Sequence, residues 1–565
     1  MNLQATLTMA FGAALATALT LTPSHADACG GFFCDSAQPV NQQAERIIFH
    51  HGDDGSVTAV IQIQYQGEAE EFAWMLPVAG TPEVAVSSNA AFTRLQQASN
   101  PSYLLNTTVE GTCSGGGGRF AGGSTSDSAG EAGALDAGAA APPVSVADSG
   151  QVGPYDYVTI TIEPAIEDKY GVAAEWLQGN GYDVPAMGSD VITPYLDSGM
   201  NLLAFRLTKG TDAGAIRPVR LSFGPGLPSI PLRPTALATQ PDMGILVWVL
   251  GDERAIPANY RHLELNEALI NWLNPGANYT DVVTRAANEA GGQGFVTEHA
   301  GPAAPLGESI WRDFEVDQWA TVTSSDWTGR EGQLVSQMAS FGQLDGVREA
   351  FEAHLPVPAD VTEEQFYACI TCYIRWDETD IEGFEPEAFL TQVQSDAIDP
   401  MIETQELFES AAYSTRLYTT MSADEMTVDP IFDFNVDLGD VSNQHTADRI
   451  IECSPSISQN EAPWRIELDD GHVVRGSGNS WPFATDSTAM PANERIVRVG
   501  TEGTGEVVED NTSAIAAALT SHNAMIPGPP DDSGICSVSG TTGRSAGGFV
   551  LALMVGLIAI RRRRS

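Results

Sequence analysis

An apolar run from Ala546 to Ile560, closed by the four arginines Arg561 to Arg564 and by Ser565, constrains this chain more than any other feature. Arginine clusters resist translocation, so such a segment is held with its basic end in the cytoplasm and everything before it outside. The run has 15 residues, about 22 Å as a helix against a hydrocarbon core of about 30 Å. That is short for a permanent span and fits a sorting segment read after export. Cys536 and a small polar spacer, Ser537 to Ser545, precede it. The other end agrees: Leu3 to Leu21 is an apolar stretch broken by Pro23. Small residues at cleavage spacing follow, as Ser24-His25-Ala26 or Ala26-Asp27-Ala28. Residues 1–28 therefore read as a secretory signal peptide, although Met1-Asn2-Leu3-Gln4 carries no side-chain positive charge. A lipidated Cys29 would favour leucine three residues earlier, where Ala26 stands.

About 500 residues lie between these ends, enough for two or three domains with their own cores. The content of 43% hydrophobic and 18% charged residues is that of a folded chain. The formal net charge of −47 repels nucleic acid and suits a solvated acidic surface. Only Lys169 and Lys209 supply lysine, and neither lies in a glycine-rich phosphate loop.

Cys29, Cys34, Cys113, Cys369, Cys372 and Cys453 form an even set in an exported chain, which points to disulfides. Cys369-Ile-Thr-Cys372 has the spacing of redox and metal sites. A capping box at Thr362 and Gln365, however, places the pair about two turns inside a helix, away from the field that activates thiols. Tyr373 stands where haem attachment needs His, and no second pair completes a zinc site. A structural disulfide is the expectation.

Hydrophobic periodicity predicts an α+β fold. Residues 29–265 read as a mainly antiparallel domain. Its strands are a half-buried one over Val57 to Gln66 with Val57, Ala59, Ile61, Ile63 and Tyr65 on one face, then Glu71 to Val78, Tyr155 to Ile162, Asn201 to Leu207, Ile216 to Phe223 and Gly244 to Leu250. Pro231 to Ala238 reads as an edge strand, and Ala90 to Gln97 and a segment carrying Trp176 and Leu177 read as helices. Residues 114–150, rich in Gly, Ala and Ser, form the expected flexible insertion. Residues 266–420 read as a helical region that includes Glu363 to Tyr373 and Pro386 to Ala412. Residues 421–525 read as a small β-rich region with a hairpin around Asp469-Asp470-Gly471 and a last helix from Asn511 to Leu519. A linker, 526–545, leads to the membrane segment 546–560 and a basic tail, 561–565.

Cys29-Gly30-Gly31-Phe32-Phe33-Cys34, followed by Gln42-Gln43-Ala44-Glu45-Arg46-Ile47-Ile48-Phe49, resembles the opening of a secreted bacterial family known only as domain of unknown function 2330. Val152-Gly153-Pro154-Tyr155-Asp156, Ala174-Glu175-Trp176-Leu177, Pro231-Leu232-Arg233 and Leu250-Gly251-Asp252 extend the likeness over roughly residues 29 to 265. The resemblance implies an exported envelope protein and, since the family has no assigned activity, points to no particular catalysis. The tail resembles a myxobacterial-type C-terminal sorting signal, which implies processing near Cys536 by a sorting protease, lipidation there, and display on the cell surface.

The chemical motifs are sparse. There is no HExxH, and the one Gly-x-Ser-x-Gly string, Gly543 to Gly547, runs into the apolar tail and is not read as a nucleophile elbow. His50 and His51 are adjacent and point to opposite faces of a strand. Asp433, Asn435 and Asp437 have the alternate-oxygen spacing of calcium loops, but Leu438 and Gln444 stand where an EF-hand needs Gly and Glu. An ordinary half-exposed strand, with Phe432, Phe434, Val436 and Leu438 on one side and the polar residues facing water, explains the same pattern. Three functions fit these observations. The first is a surface-anchored structural or binding protein of the envelope without a cofactor. The others are a secreted hydrolase with a dispersed site and a calcium-dependent binding module.

Overall fold

The computed structural model describes residues 34–35, 38–39, 41–66, 73–113, 144–182, 188–207, 217–237, 239–483, 490–526 and 528. The expected signal peptide, Cys29, Cys536 and the apolar tail lie outside them, as does the side chain of Cys34. Among the described residues no helix is long and apolar enough to cross a membrane.

The strand Thr239–Gly251 explains the architecture. Its run Ile245-Leu246-Val247-Trp248-Val249-Leu250 is apolar at every position, the signature of a strand covered on both faces. Ile245, Val247 and Val249 enter one core, and Leu246, Trp248 and Leu250 enter another. This strand lies inside a ten-stranded sheet. From one edge the order is Glu506–Asp510, Asn493–Arg498, Arg261–Leu265, Gly294–Pro302, Tyr413–Met421, Thr239–Gly251, Asn41–His51, Ser56–Gln66, Val219–Pro225 and Glu83–Val86. Two neighbouring pairs are parallel, Thr239–Gly251 with Asn41–His51 and Arg261–Leu265 with Gly294–Pro302. The others are antiparallel. The sheet draws strands from each of the three regions legible in the sequence.

On one face sits a four-stranded antiparallel sheet of Ala73–Val78, Asn201–Leu207, Tyr155–Ile162 and Val144–Val152, packing Trp74, Phe205 and Ile160 against Ile47, Ile61 and Val247. On the other face lies a helical layer that includes Asn89–Ser99, Asp313–Ser324, Val347–His354, Pro386–Val393 and Asp399–Ser410, built around Phe92, Trp248, Phe389 and Phe408. A third core joins the Arg261–Leu265 end of the sheet to helix Tyr279–Glu289. It also joins a second four-stranded sheet, ordered Val473–Ser477, Pro463–Leu468, Gln444–Glu452 and Ser102–Glu110.

The mixed α+β class and the preference for antiparallel pairing follow the sequence reading. Several details do not. Ser56–Gln66 is not half-buried, because the helical layer covers its second face and leaves Val60 0% and Gln62 1% exposed. Pro231 to Ala238 is not an edge strand. Leu232–Thr235 is a helical turn, whose Leu232 and Arg233 N–H groups donate to Oδ1 of the distant Asp429. The expected insertion ends too late at 150, since Val144–Val152 pairs with Tyr155–Ile162. The helix expected over Glu363 to Tyr373 breaks at Cys369 into Glu363–Ala368 and Ile370–Tyr373. Pro386 to Ala412 carries a π-helical segment, Gln394–Ile398, just before Pro400, whose missing N–H interrupts the regular ladder.

Trp248 is fully buried, donates from Nε1 to Ser99 Oγ at 3.1 Å and packs edge-on to Phe92. Trp248→Ala should therefore lower the unfolding free energy by about 3–5 kcal/mol, read from a urea melt.

Candidate functional site

The strand Gly294–Pro302 carries a β-bulge. Thr297 pairs with Leu417 and His299 with Arg416, so Glu298 is the inserted residue. A bulge releases a residue from the ladder and re-aims its side chain, and bulges recur beside functional sites. The Glu298 carboxylate, 3% exposed, receives Nε of Arg416, also 3% exposed, at 2.5 Å. The remaining guanidinium nitrogens are satisfied by the end of helix Asn89–Ser99. Nη1 donates to Ser99 Oγ at 2.8 Å and Nη2 to Asn100 Oδ1 at 2.8 Å. Nη1 also reaches the Gln96 carbonyl, so a buried cation caps a helix C-terminus where the dipole favours it. The guanidinium lies 5.4 Å from the Trp248 ring centroid.

Three phenols surround the pair. Tyr279, at the start of helix Tyr279–Glu289, is hydrogen-bonded to Glu298. Burial, and then the Glu298 charge, hold its hydroxyl far above the usual phenol range. Tyr103 is raised in the same way, by burial first and then by Glu267 and Glu298. Tyr418 stacks on Tyr279 with centroids 6.3 Å apart and is raised chiefly by burial. Tyr103 stacks on His445 at 4.6 Å, and His445 Nδ1 lies 2.6 Å from Glu267 Oε1. The cluster thus holds a carboxylate, a guanidinium and protonated phenols in a dry environment. These are groups of an acid–base site, but here each ionic group is held by another member of the fold.

On the opposite face, His262 is half-buried with Nδ1 3.3 Å from Thr297 Oγ1. Burial, reinforced by the Arg254 charge, lowers its pKa from 6.5 to about 4, so the imidazole is neutral. His299, next to the bulge, is lowered by burial and then by Arg416, and its Nδ1 is buried without a hydrogen-bond partner.

The residues singled out from the sequence sit elsewhere. Asp433 and Asn435 lie on Phe432–Asn435, which pairs with Arg254–Pro257. The chain then turns, with Asn435 Oδ1 accepting from Asp437 N at 2.8 Å. Asn435 Nδ2 donates to the carbonyls of Gly500 and Gly503, and Asp437 Oδ2 accepts from Gly503 N at 2.6 Å. Asp433 Oδ1 accepts from Phe434 N. All three side chains hold main-chain groups, and Asn435 and Asp437 pin the loop near Gly503. Asn435 is fully buried, so it does not face water as the strand reading expected. Among the described residues no group of three or more His, Cys, Asp or Glu is placed to hold a metal ion. Cys113 is disulfide-bonded to Cys453, with Cα atoms 4.9 Å apart, and Cys369 to Cys372 at 5.3 Å. His50 Nε2 meets Ser410 Oγ at 3.1 Å, but that hydroxyl is also engaged with the Leu407 carbonyl at a helix end.

Sequence reasoning missed the buried cluster entirely. Its members come from residues 99–103, 267, 279, 298, 416–418 and 445, and no local motif links them. The one available signal was a glutamate and an arginine within otherwise uncharged runs, Gly294 to Pro302 and Tyr413 to Met421.

A family model described as an uncharacterized protein conserved in bacteria (DUF2330) matches residues 23–404, about two thirds of the chain. The match runs well past residue 265, through the bulge at Glu298 and most of the helical layer, and stops before Arg416. No curated protein and no solved structure matches the chain.

Glu298→Gln should cost about 3–5 kcal/mol, because it strands the Arg416 charge in the core. The double variant Glu298→Gln/Arg416→Met should be more stable than Glu298→Gln alone, and a double-mutant cycle by urea denaturation measures the coupling. A second expectation concerns pH. Below 6.5 the unfolded chain takes up a proton at His262, and the folded chain does not until about 4. Stability from this group is therefore fully present above 6.5 and lost as pH falls through that window, by about 3 kcal/mol. His262→Phe should remove that part of the pH dependence in melts between about pH 7 and about pH 4.

Proposed function

We propose that this chain, which belongs to the DUF2330 family of uncharacterised bacterial proteins, is an exported component of the cell envelope. In this reading it is held at the surface through its C-terminal segment and acts by structure or binding. The observation that carries the reading is the disulfide between Cys113 and Cys453. It joins residues 340 apart in sequence, with Cys453 inside the third core. Long-range disulfides of this kind persist in oxidising compartments outside the cytoplasm. The leader-like start, the arginine-flanked apolar segment and the net charge of −47 support the same address. In the proposed mature protein Cys536 is the anchoring residue, left by a sorting protease that removes the apolar tail.

Two measurements test this. Protein from whole cells, denatured and alkylated without reduction, should leave Cys113 and Cys453 unlabelled; free thiols at both would sink the export reading. Mass spectrometry of the C-terminus should find the chain truncated near a modified Cys536. An intact peptide through Arg564 with a free Cys536 thiol would remove processing and lipidation together.

A further inference from the structure

The two disulfides among the described residues differ in what they hold. Cys113–Cys453 ties the segment just after strand Ser102–Glu110 to the residue after Gln444–Glu452, within the third core. Cys369–Cys372 joins residues three apart, on one turn of chain. Its Cys369 ends the helix Glu363–Ala368 with φ −151° and ψ 70°, and Cys372 N–H donates to the Cys369 carbonyl at 2.9 Å. That turn is already closed by the main chain, and the bond links no separate elements. A cross-link restricts the unfolded chain less the shorter the loop it closes, so this disulfide has little conformational work to do. It is also open to solvent: Cys372 is exposed and Cys369 half-buried. Tyr373 and Trp376 follow it in the chain, 40% and 64% exposed, while Phe366 and Ile374 anchor the segment in the helical core. Exposed disulfides are the labile and catalytic ones, whereas structural ones are shielded.

We infer that Cys369–Cys372 is a thiol–disulfide exchange site that oxidises dithiols in unfolded or extended peptides, with Tyr373 and Trp376 as the contact surface. A substrate thiolate attacks Sγ of Cys372, the more exposed residue of the pair, and the Cys369–Cys372 bond breaks with Cys369 leaving as thiolate. The second substrate thiol, deprotonated, then attacks the substrate sulfur of the mixed disulfide. The substrate disulfide forms and Cys372 leaves as thiolate. Two electrons pass from the substrate dithiol to the protein disulfide, and the two substrate thiol protons end on the two protein thiols or in solvent. The strongly acidic chain selects for cationic peptides, whose approach its field assists. This site does not depend on the anchoring reading above.

The test uses the oxidised full-length chain and a synthetic lysine-rich peptide dithiol in stoichiometric amount. One equivalent of peptide disulfide should form. Thiols should appear at Cys369 and Cys372 by differential alkylation and mass spectrometry, while Cys113–Cys453 stays oxidised. The Cys369→Ser/Cys372→Ser variant should show no transfer, with its far-ultraviolet circular dichroism and its Cys113–Cys453 bond confirming the fold. Towards an aromatic disulfide probe, Cys369→Ser, which retains Cys372, should react about ten-fold faster than Cys372→Ser, which retains Cys369. A glutamate-rich peptide should react more slowly than the lysine-rich one, with the gap narrowing as salt rises. Peptide oxidation that persists in the double variant, or reduction of Cys113–Cys453 before Cys369–Cys372, overturns the site. Equal rates for the two peptides overturn the substrate class.

Discussion

A guanidinium and a carboxylate, both out of reach of water in the middle of a ten-stranded sheet, set the terms for much of this structure. The Arg416–Glu298 pair exists because a bulge turns Glu298 out of the ladder, and it is satisfied because a helix ends over it with Ser99, Asn100 and the Gln96 carbonyl. Taking two charges out of water costs several kcal/mol per ion, and only good geometry offsets that. An apolar pair of similar volume would be at least as stable. What the ionic pair adds is discrimination: a one-residue slip of Tyr413–Met421 would place Arg416 on the opposite face, without its carboxylate. Strand register, helix position and the placement of Tyr279 are thereby coupled.

The same logic recurs where layers meet. Arg94 forms a two-pronged pair with Glu315, at 2.8 and 2.6 Å, and donates to the Ile310 carbonyl. This fastens helix Asn89–Ser99 to the start of Asp313–Ser324. Arg465 gathers Glu110, Glu452 and Glu467 across the outer sheet, beside the Cys113–Cys453 bond. In a chain with 27 basic and 74 acidic residues, arginines placed between carboxylates reduce repulsion where strands must approach. The acidic excess is left for the surface.

The buried cluster has the inventory of an acid–base site, yet its geometry ties each ionic group to another. Glu298 meets Arg416 and Tyr279, and Glu267 meets His445. Low dielectric makes such a network rigid when it is complete. The Cys369–Cys372 pair stands at the other extreme, with little structure depending on it and Cys372 exposed.

What the sequence determined by itself was whatever neighbours in the chain can decide. The alternation over Ser56–Gln66 and Tyr155–Ile162 marks strands because side chains alternate faces with period two. Asp469-Asp470-Gly471 marks a hairpin because Gly471 takes φ 85° without a steric penalty. Thr362 starts a helix because its hydroxyl accepts from Gln365 N–H. The tertiary structure decided what depends on distant partners. Strand Gly294–Pro302 escaped periodicity because the inserted Glu298 breaks the alternation. Tyr413–Met421 escaped because its buried positions are largely polar and are satisfied from other elements. Leu232–Thr235 is a helical turn because Asp429, almost two hundred residues on, accepts its N–H groups. The helix through the cysteine pair stops at Cys369, where the local pattern would have continued it. Local pattern sets which face of an element is apolar; only packing decides whether one face or both are covered, and which charges meet in the dark between them.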